Sequence, residues 1–335
     1  MPHTKTEIFS FLNEPLPNDV LQATLNTVEA FGTLKATCSE TNTTLVEQLL
    51  LVKELQIVNS LCGENHSVES VLAELTMSNS NSVVYKQSVA YQLCKTYIQD
   101  VHPLFRVIPA SVFLRVNCCI KTLNPIVLSD PTFTGAHDSI SAVINDEVFR
   151  TLYGLNNGHH VFIRIAAAYF LLCAMLPNHE FNVLALDLLF SAVVHDKLLL
   201  QIAPVWLAKF AVLCANWGFD CFQDSIEKTF FMFISYLKDE FSTISLMMQK
   251  LKCKSINIAE SIMQDFTKTY SDKLSELLCN NLLFRNTDFV NYLNVTPMTA
   301  IKYAKALEEK QLISGIKLGR EKVYINRGLV SLIQE

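Results

Sequence analysis

TPMTAIKYAKALEEKQLISGIKLGREKVYIN, residues 296–326, changes character twice, and the reading of the whole chain starts there. Thr296 before Pro297 is a helix start: the hydroxyl can accept an orphan amide, and proline loses nothing at the first helical position. The spacing predicts a helix through PMTAIKYAKALEEKQL with Ile301, Ala304 and Leu307 facing inward. Thr296, Met298, Thr299, Lys302 and Lys305 are left outward. ISGIKL and KVYIN then alternate as two short strands, joined through Gly319, Arg320 and Glu321.

Upstream, RNTDFVNYLN reads as a short helix and Val295–Thr296 as a turn. Helix, turn, helix, hairpin is the order of a winged helix-turn-helix. In such a unit the outward residues of the second helix would enter a major groove, and Lys317, Arg320 and Lys322 on the hairpin could reach phosphates. The same surface suits protein docking or dimerisation equally well. Charge is suggestive only: residues 285–335 hold eight Lys/Arg against five acids, a balance of +3, which leaves −8 on residues 1–284 of a chain whose net charge is −5. The whole protein is therefore no generic polyanion binder.

The rest of the chain has helical period nearly throughout. Helices are expected at 18–34, 43–62, 66–76, 82–99, 110–121, 139–153, 159–176, 182–198, 203–216, 221–237, 240–252 and 255–280. Only 123–135 could make extended structure. Half of the 335 residues are apolar and 18% are charged, a globular profile. Ten cysteines without a CxxC pair read as reduced thiols of a cytosolic protein, not as a metal site. The N-terminus lacks a basic region followed by an apolar run, so no signal peptide is expected. The apolar stretches 161–176 and 198–215 carry Arg164, and Pro204 with Lys209, and read as bundle helices with no membrane partner.

Three stretches together resemble the longer form of the Fic family. GHHVFIRIAAAYFLLCAM (158–175) is similar to the helix that leads into the family's active-site motif, with Ile163, Arg164, Ala166, Ala167 and Met175 in the expected places. VKELQIVNSLCGENHSVESVL (52–72) is similar to the family's inhibitory helix, and residues 296–326 are similar to its appended winged helix. The resemblance implies an all-α protein: an N-terminal helical region over 1–100, a Fic-like helical core over 101–268, and a winged helix-turn-helix with a short β-hairpin over 269–335.

Active members of the family carry HPFx(D/E)GNGRxxR, whose His takes a proton from the target hydroxyl, whose acid holds magnesium, and whose Arg pairs with phosphates. In the register set by Pro177 this chain offers Leu176 for the His, Phe181 and Val183 for the glycines, and Leu184 for the Arg. Only Pro177, Glu180 and Asn182 fit. Sliding the register to His179 recovers a base but no glycine and no arginine, and no glycine occurs between Gly158 and Gly218. Bulky side chains would then occupy the volume of a pyrophosphate. In the inhibitory stretch, Val58, Cys62 and Gly63 stand where the family has Ser, Glu and Gly.

Glu180 and Asn182 also suit ordinary first-turn and capping roles, and His179 suits a solvent-facing turn. The resemblance thus implies a catalytically degenerate protein acting in the cytosol as a regulator, without a cofactor or metal. It would bind a protein partner, with DNA and a homodimer as further options. Two alternatives stay open. One is an atypical Fic enzyme using ATP and magnesium to transfer AMP, or another phosphate-containing group, to a protein hydroxyl through His179, Glu180 or Asn182. The other is a helical transcription regulator unrelated to Fic.

Overall fold

The structure, a computed structural model, describes residues 4–39, 41–42, 45–46, 48–50, 52–53, 56, 67–76, 158–175, 224–265, 268–318 and 321–334. Its elements are α1 (Lys5–Asn13), α2 (Asn18–Cys38), α3 (Val68–Thr76), α4 (Val161–Met175), α5 (Ile226–Asp265), α6 (Lys268–Asn280), β1 (Leu283–Arg285), α7 (Asn286–Leu293), α8 (Pro297–Glu309), β2 (Ile313–Leu318), β3 (Glu321–Asn326) and α9 (Arg327–Gln334). The described residues are thus mostly helical, with one small antiparallel sheet near the C-terminus. The helices expected at 82–99, 110–121, 139–153, 182–198 and 203–216, and the extended stretch at 123–135, lie outside the described residues.

α5 is the spine. Phe230, Ile234, Leu237, Phe241, Ile244, Met248, Leu251, Ile258 and Ile262 are buried along it at alternating spacings of three and four, broken only near Ser255. That pattern keeps one apolar stripe along one side of a helix of 40 residues, on the order of 60 Å long. The sequence reading divided this region into 221–237, 240–252 and 255–280, which the structure corrects to α5 followed by α6. The stretch 226–265 contains neither glycine nor proline, and nothing there interrupts the helical ladder.

The N-terminal half of α5 packs along α2 and against α4. Phe162 of α4, Phe31 of α2 and Phe241 of α5 form a triangle of rings with centroids 5.4–5.6 Å apart. Tyr169 stacks on Phe233 at 4.9 Å. A polar tie crosses this core: Thr27 Oγ1 lies 2.8 Å from Ala23 O and 3.0 Å from Ile234 O, so the hydroxyl is satisfied although fully buried. α1 starts with a reciprocal cap that the sequence reading missed. Glu7 Oε2 accepts the Thr4 N–H at 2.6 Å, and Thr4 Oγ1 accepts the Glu7 N–H at 3.3 Å.

The C-terminal half of α5 packs against α6 and α9, which hold the C-terminal module. Its sheet has the order β1-β3-β2, all antiparallel, with Phe284 opposite Tyr324 and Gly315 opposite Tyr324 on the other side. β1 and α9 were not expected. Asn326 is the joint: its side chain, fully buried, donates from Nδ2 to Leu278 O of α6 at 2.8 Å and accepts the Leu329 N–H of α9 at 3.1 Å. Its backbone N–H donates to Leu282 O at 2.9 Å. One residue therefore ends β3, caps α9 and ties both to α6. Gln311 has φ 59°, the left-handed residue after α8, with Gln311 N–H on Glu308 O and Leu312 N–H on Leu307 O. This is a Schellman ending built without glycine.

Two outcomes follow. Asn326→Ala should lower unfolding stability in denaturant by about 2–4 kcal/mol, because it strands a buried carbonyl and a helix-start amide. The second concerns α4, where His160 Nδ1 accepts the Phe162 N–H at 3.3 Å. Burial, then the neighbouring Arg164 charge, lowers the His160 pKa from 6.5. The unfolded chain thus binds this proton more readily, so the stability contribution is full above pH 6.5 and is lost as pH falls through the lowered folded value. Chemical denaturation of the native chain and His160→Asn, whose oxygen can serve the same amide, should show a smaller loss in the variant across that window.

Candidate functional site

Residues 286–326 fold as α7, a turn, α8 and the β2–β3 pair, as the sequence order predicts. The turn is made by Asn294 in the left-handed region, φ 54° and ψ 52°, a conformation asparagine tolerates better than most side chains. Thr296 is the N-cap of α8 and Pro297 opens it: Thr296 Oγ1 accepts the Thr299 N–H at 3.3 Å and lies 3.0 Å from Thr299 Oγ1. Both threonine hydroxyls are therefore engaged with each other at the helix start.

The buried face of α8 is Ala300, Ala304 and Leu307. The expected inward residue Ile301 is 37% exposed, which corrects the reading of 301, 304 and 307 as the core stripe. Spacing of four then three follows the helix period more closely than two spacings of three, and the small side chain of Ala300 lets α8 approach its neighbours. The outward stripe is then Met298, Ile301, Lys302, Lys305 and Glu309, each exposed and set at positions i, i+3, i+4, i+7 and i+11. Met298 is 70% exposed, the most exposed large apolar side chain among the described residues.

The hairpin cations divide. Lys317 is exposed on β2, and Lys302, Lys305 and Lys317 make no ion pair or hydrogen bond among the described residues. Lys322, expected to reach phosphates, is instead held within the module. Its Nζ donates to Glu308 Oε2 at 2.7 Å and sits 5.0 Å from the centroid of the Tyr324 ring. The other oxygen, Glu308 Oε1, accepts the Gly315 N–H at 3.0 Å. Glu308 thus ties α8 to both hairpin strands, and a Cβ at position 315 would stand 2.1 Å from Lys322 Cε. The sequence reading counted Glu308 as a charge opposing the lysines; its part in this clamp depends on a contact seven and fourteen residues away.

The other expected site residues lie outside the described residues: Leu176, Pro177, His179, Glu180, Phe181, Asn182, Val183 and Leu184 of the motif region, Val58, Cys62 and Gly63 of the inhibitory stretch, and Arg320 of the hairpin. α4, which leads towards the motif, is described to Met175, with Ile163, Ala166 and Ala167 buried. Among the described residues no group of His, Cys, Asp or Glu could hold a metal ion, and no helix is long and apolar enough to cross a membrane.

No protein-family model matches the chain, and no curated protein matches it.

Glu308→Gln should release Lys322 at small cost. The pair is part-exposed, so equilibrium unfolding should fall by no more than about 1 kcal/mol. A loss several times larger would show that the clamp supports the module as a whole.

Proposed function

We propose that the chain is a Fic-like protein that has lost nucleotide transfer and acts as a cytosolic interaction or regulatory protein. In this reading its C-terminal module is a winged helix that docks a protein partner through α8. The observation that carries the docking role is the outward stripe of α8. A helix that reads base edges usually presents Arg, Asn, Gln or Lys in its first turns. Here the first turn offers Met298 and two threonines engaged with each other, and the second a single such residue, Lys302. Exposed apolar side chains flanked by cations suit a protein surface better.

The loss of chemistry is supported by the residues themselves. Leu176 has no proton-accepting atom, Leu184 has no charge, and Phe181 and Val183 carry side chains where the family's glycines let backbone approach phosphate. Cys62 stands where the family's inhibitory Glu would pair with that missing arginine, and Val58 where the family has Ser.

DNA is a second reading, favoured by Lys302, Lys305 and Lys317, three exposed cations on the helix and the hairpin. Three phosphate contacts give a plot of log K against log salt no steeper than about −3. Binding would be weak and indifferent to sequence.

Two measurements test these readings. Incubation with labelled ATP and magnesium, alone and with lysate, should leave the chain and its neighbours unlabelled. Incorporation that disappears in Glu180→Ala would make the protein a catalyst. A salt-titrated duplex shift should show either no binding or that shallow slope, whereas a steep slope with sequence discrimination would establish a DNA reader.

A further inference from the structure

We infer that the outward face of α8 receives an acidic amphipathic helix from a partner protein. This rests on the protein-docking reading of the C-terminal module and narrows it to one chemistry. Met298, Ile301, Lys302 and Lys305 form a continuous stripe on a helix of 13 residues, about 20 Å long. The stripe is apolar towards the helix start and cationic further along. A helix laid against it would set apolar residues at three- and four-residue spacing on Met298 and Ile301, and carboxylates on Lys302 and Lys305.

The module's other charges sharpen the choice. Lys322 is neutralised by Glu308, Arg285 and Lys310 have partners, and Lys317, exposed and without an ion pair among the described residues, lies on β2 and not on the α8 stripe. Lys302 and Lys305 stand without an ion pair among the described residues, beside apolar atoms that remain exposed. Charge complementarity therefore calls for an acidic occupant. An exposed methionine suits such a site, since its unbranched thioether adapts to the side chains laid on it.

Other occupants fit less well. An extended strand adding to β2 would need the amides that point away from β3, and the Gly315 N–H is already taken by Glu308. A second copy docking face to face through α8 would set lysine against lysine.

The test titrates the full chain against a labelled helical peptide of about 16 residues, enough to cover the stripe. Its apolar residues follow the helix period and glutamates flank them. Companion peptides exchange every glutamate for lysine, or every apolar residue for alanine, and duplex DNA and sedimentation equilibrium run alongside. The acidic amphipathic peptide should bind, and both companions should bind at least about tenfold more weakly. K302E with K305E should weaken the acidic peptide about tenfold and bind the lysine peptide in its place. Met298→Asp should weaken binding with the unfolding midpoint retained, since that side chain is 70% exposed, and Ile301→Asp should weaken binding too.

Peptide binding indifferent to these substitutions, or absent, overturns the inference. If DNA binds instead and K302E with K305E abolishes it, or if sedimentation shows self-association that Met298→Asp abolishes, the acidic-helix proposal fails while α8 stays the interface. If no probe responds to any α8 substitution, the docking role itself fails as well.

Discussion

The C-terminal module depends on one buried side chain. Asn326, the last residue of β3, is fully buried against α6 and α9, yet its amide is met at both ends: Nδ2 by Leu278 O, Oδ1 by the Leu329 N–H. An amide placed there without both partners would carry the full cost of desolvation, so the contacts are mutually dependent. The end of the hairpin, the start of the last helix and the last turn of α6 are consequently fixed by the same residue. α9 then lies on α5, with Lys254 Nζ donating to Ser331 Oγ and Ile258 packing on Gly328. Because α5 also carries the N-terminal core of α2 and α4, the module is joined to that core by a continuous helix and not by a loop alone.

That attachment determines which surface remains for work. The inner face of α8 is spent on Ala300, Ala304 and Leu307, and its C-terminal end is closed by the left-handed Gln311 and the Glu308 clamp. The hairpin edge is blocked at Gly315 and one hairpin cation is neutralised. What remains outward on α8 is a short stripe in which apolar atoms and two lysines adjoin, with Lys317 exposed on β2. Three local devices, a cap, a clamp and a buried joint, therefore fix both the orientation of the stripe and its chemistry.

Much of this was legible in residues 286–326 because each step has a local cause. Thr296 before Pro297 marks a helix start from its own chemistry, and alternating apolar residues mark β2 and β3. The errors lie where the cause is distant. Ile301, Ala304 and Leu307 recur at a spacing of three, which places Ile301 inward, whereas the packing around α8 buries Ala300 in its place. Lys322 looked available because Glu308 is fourteen residues away. β1 is three residues long, too short to alternate, and exists because β3 supplies its partner. α9 did have a signal, the cap residue Asn326 followed by Leu329, Val330, Leu332 and Ile333, but eight residues are too few to hold a helix without α5 beneath them. In the opposite direction, the breaks expected after 237 and 252 do not occur, because 226–265 holds no residue that interrupts the helical ladder.

The account's central claim is that Asn326 and α9 lock the module to the long helix, so that α8 is presented from a fixed frame. Native-state hydrogen exchange of the full chain in low denaturant tests this most directly, since amides that open together report one cooperative unit. Amides of α6, β3, α9 and the C-terminal half of α5 should merge into a single opening with a shared free energy. Exchange of α9 and β3 at a much lower free energy than α5 would mean that the module opens by itself, and would contradict the account.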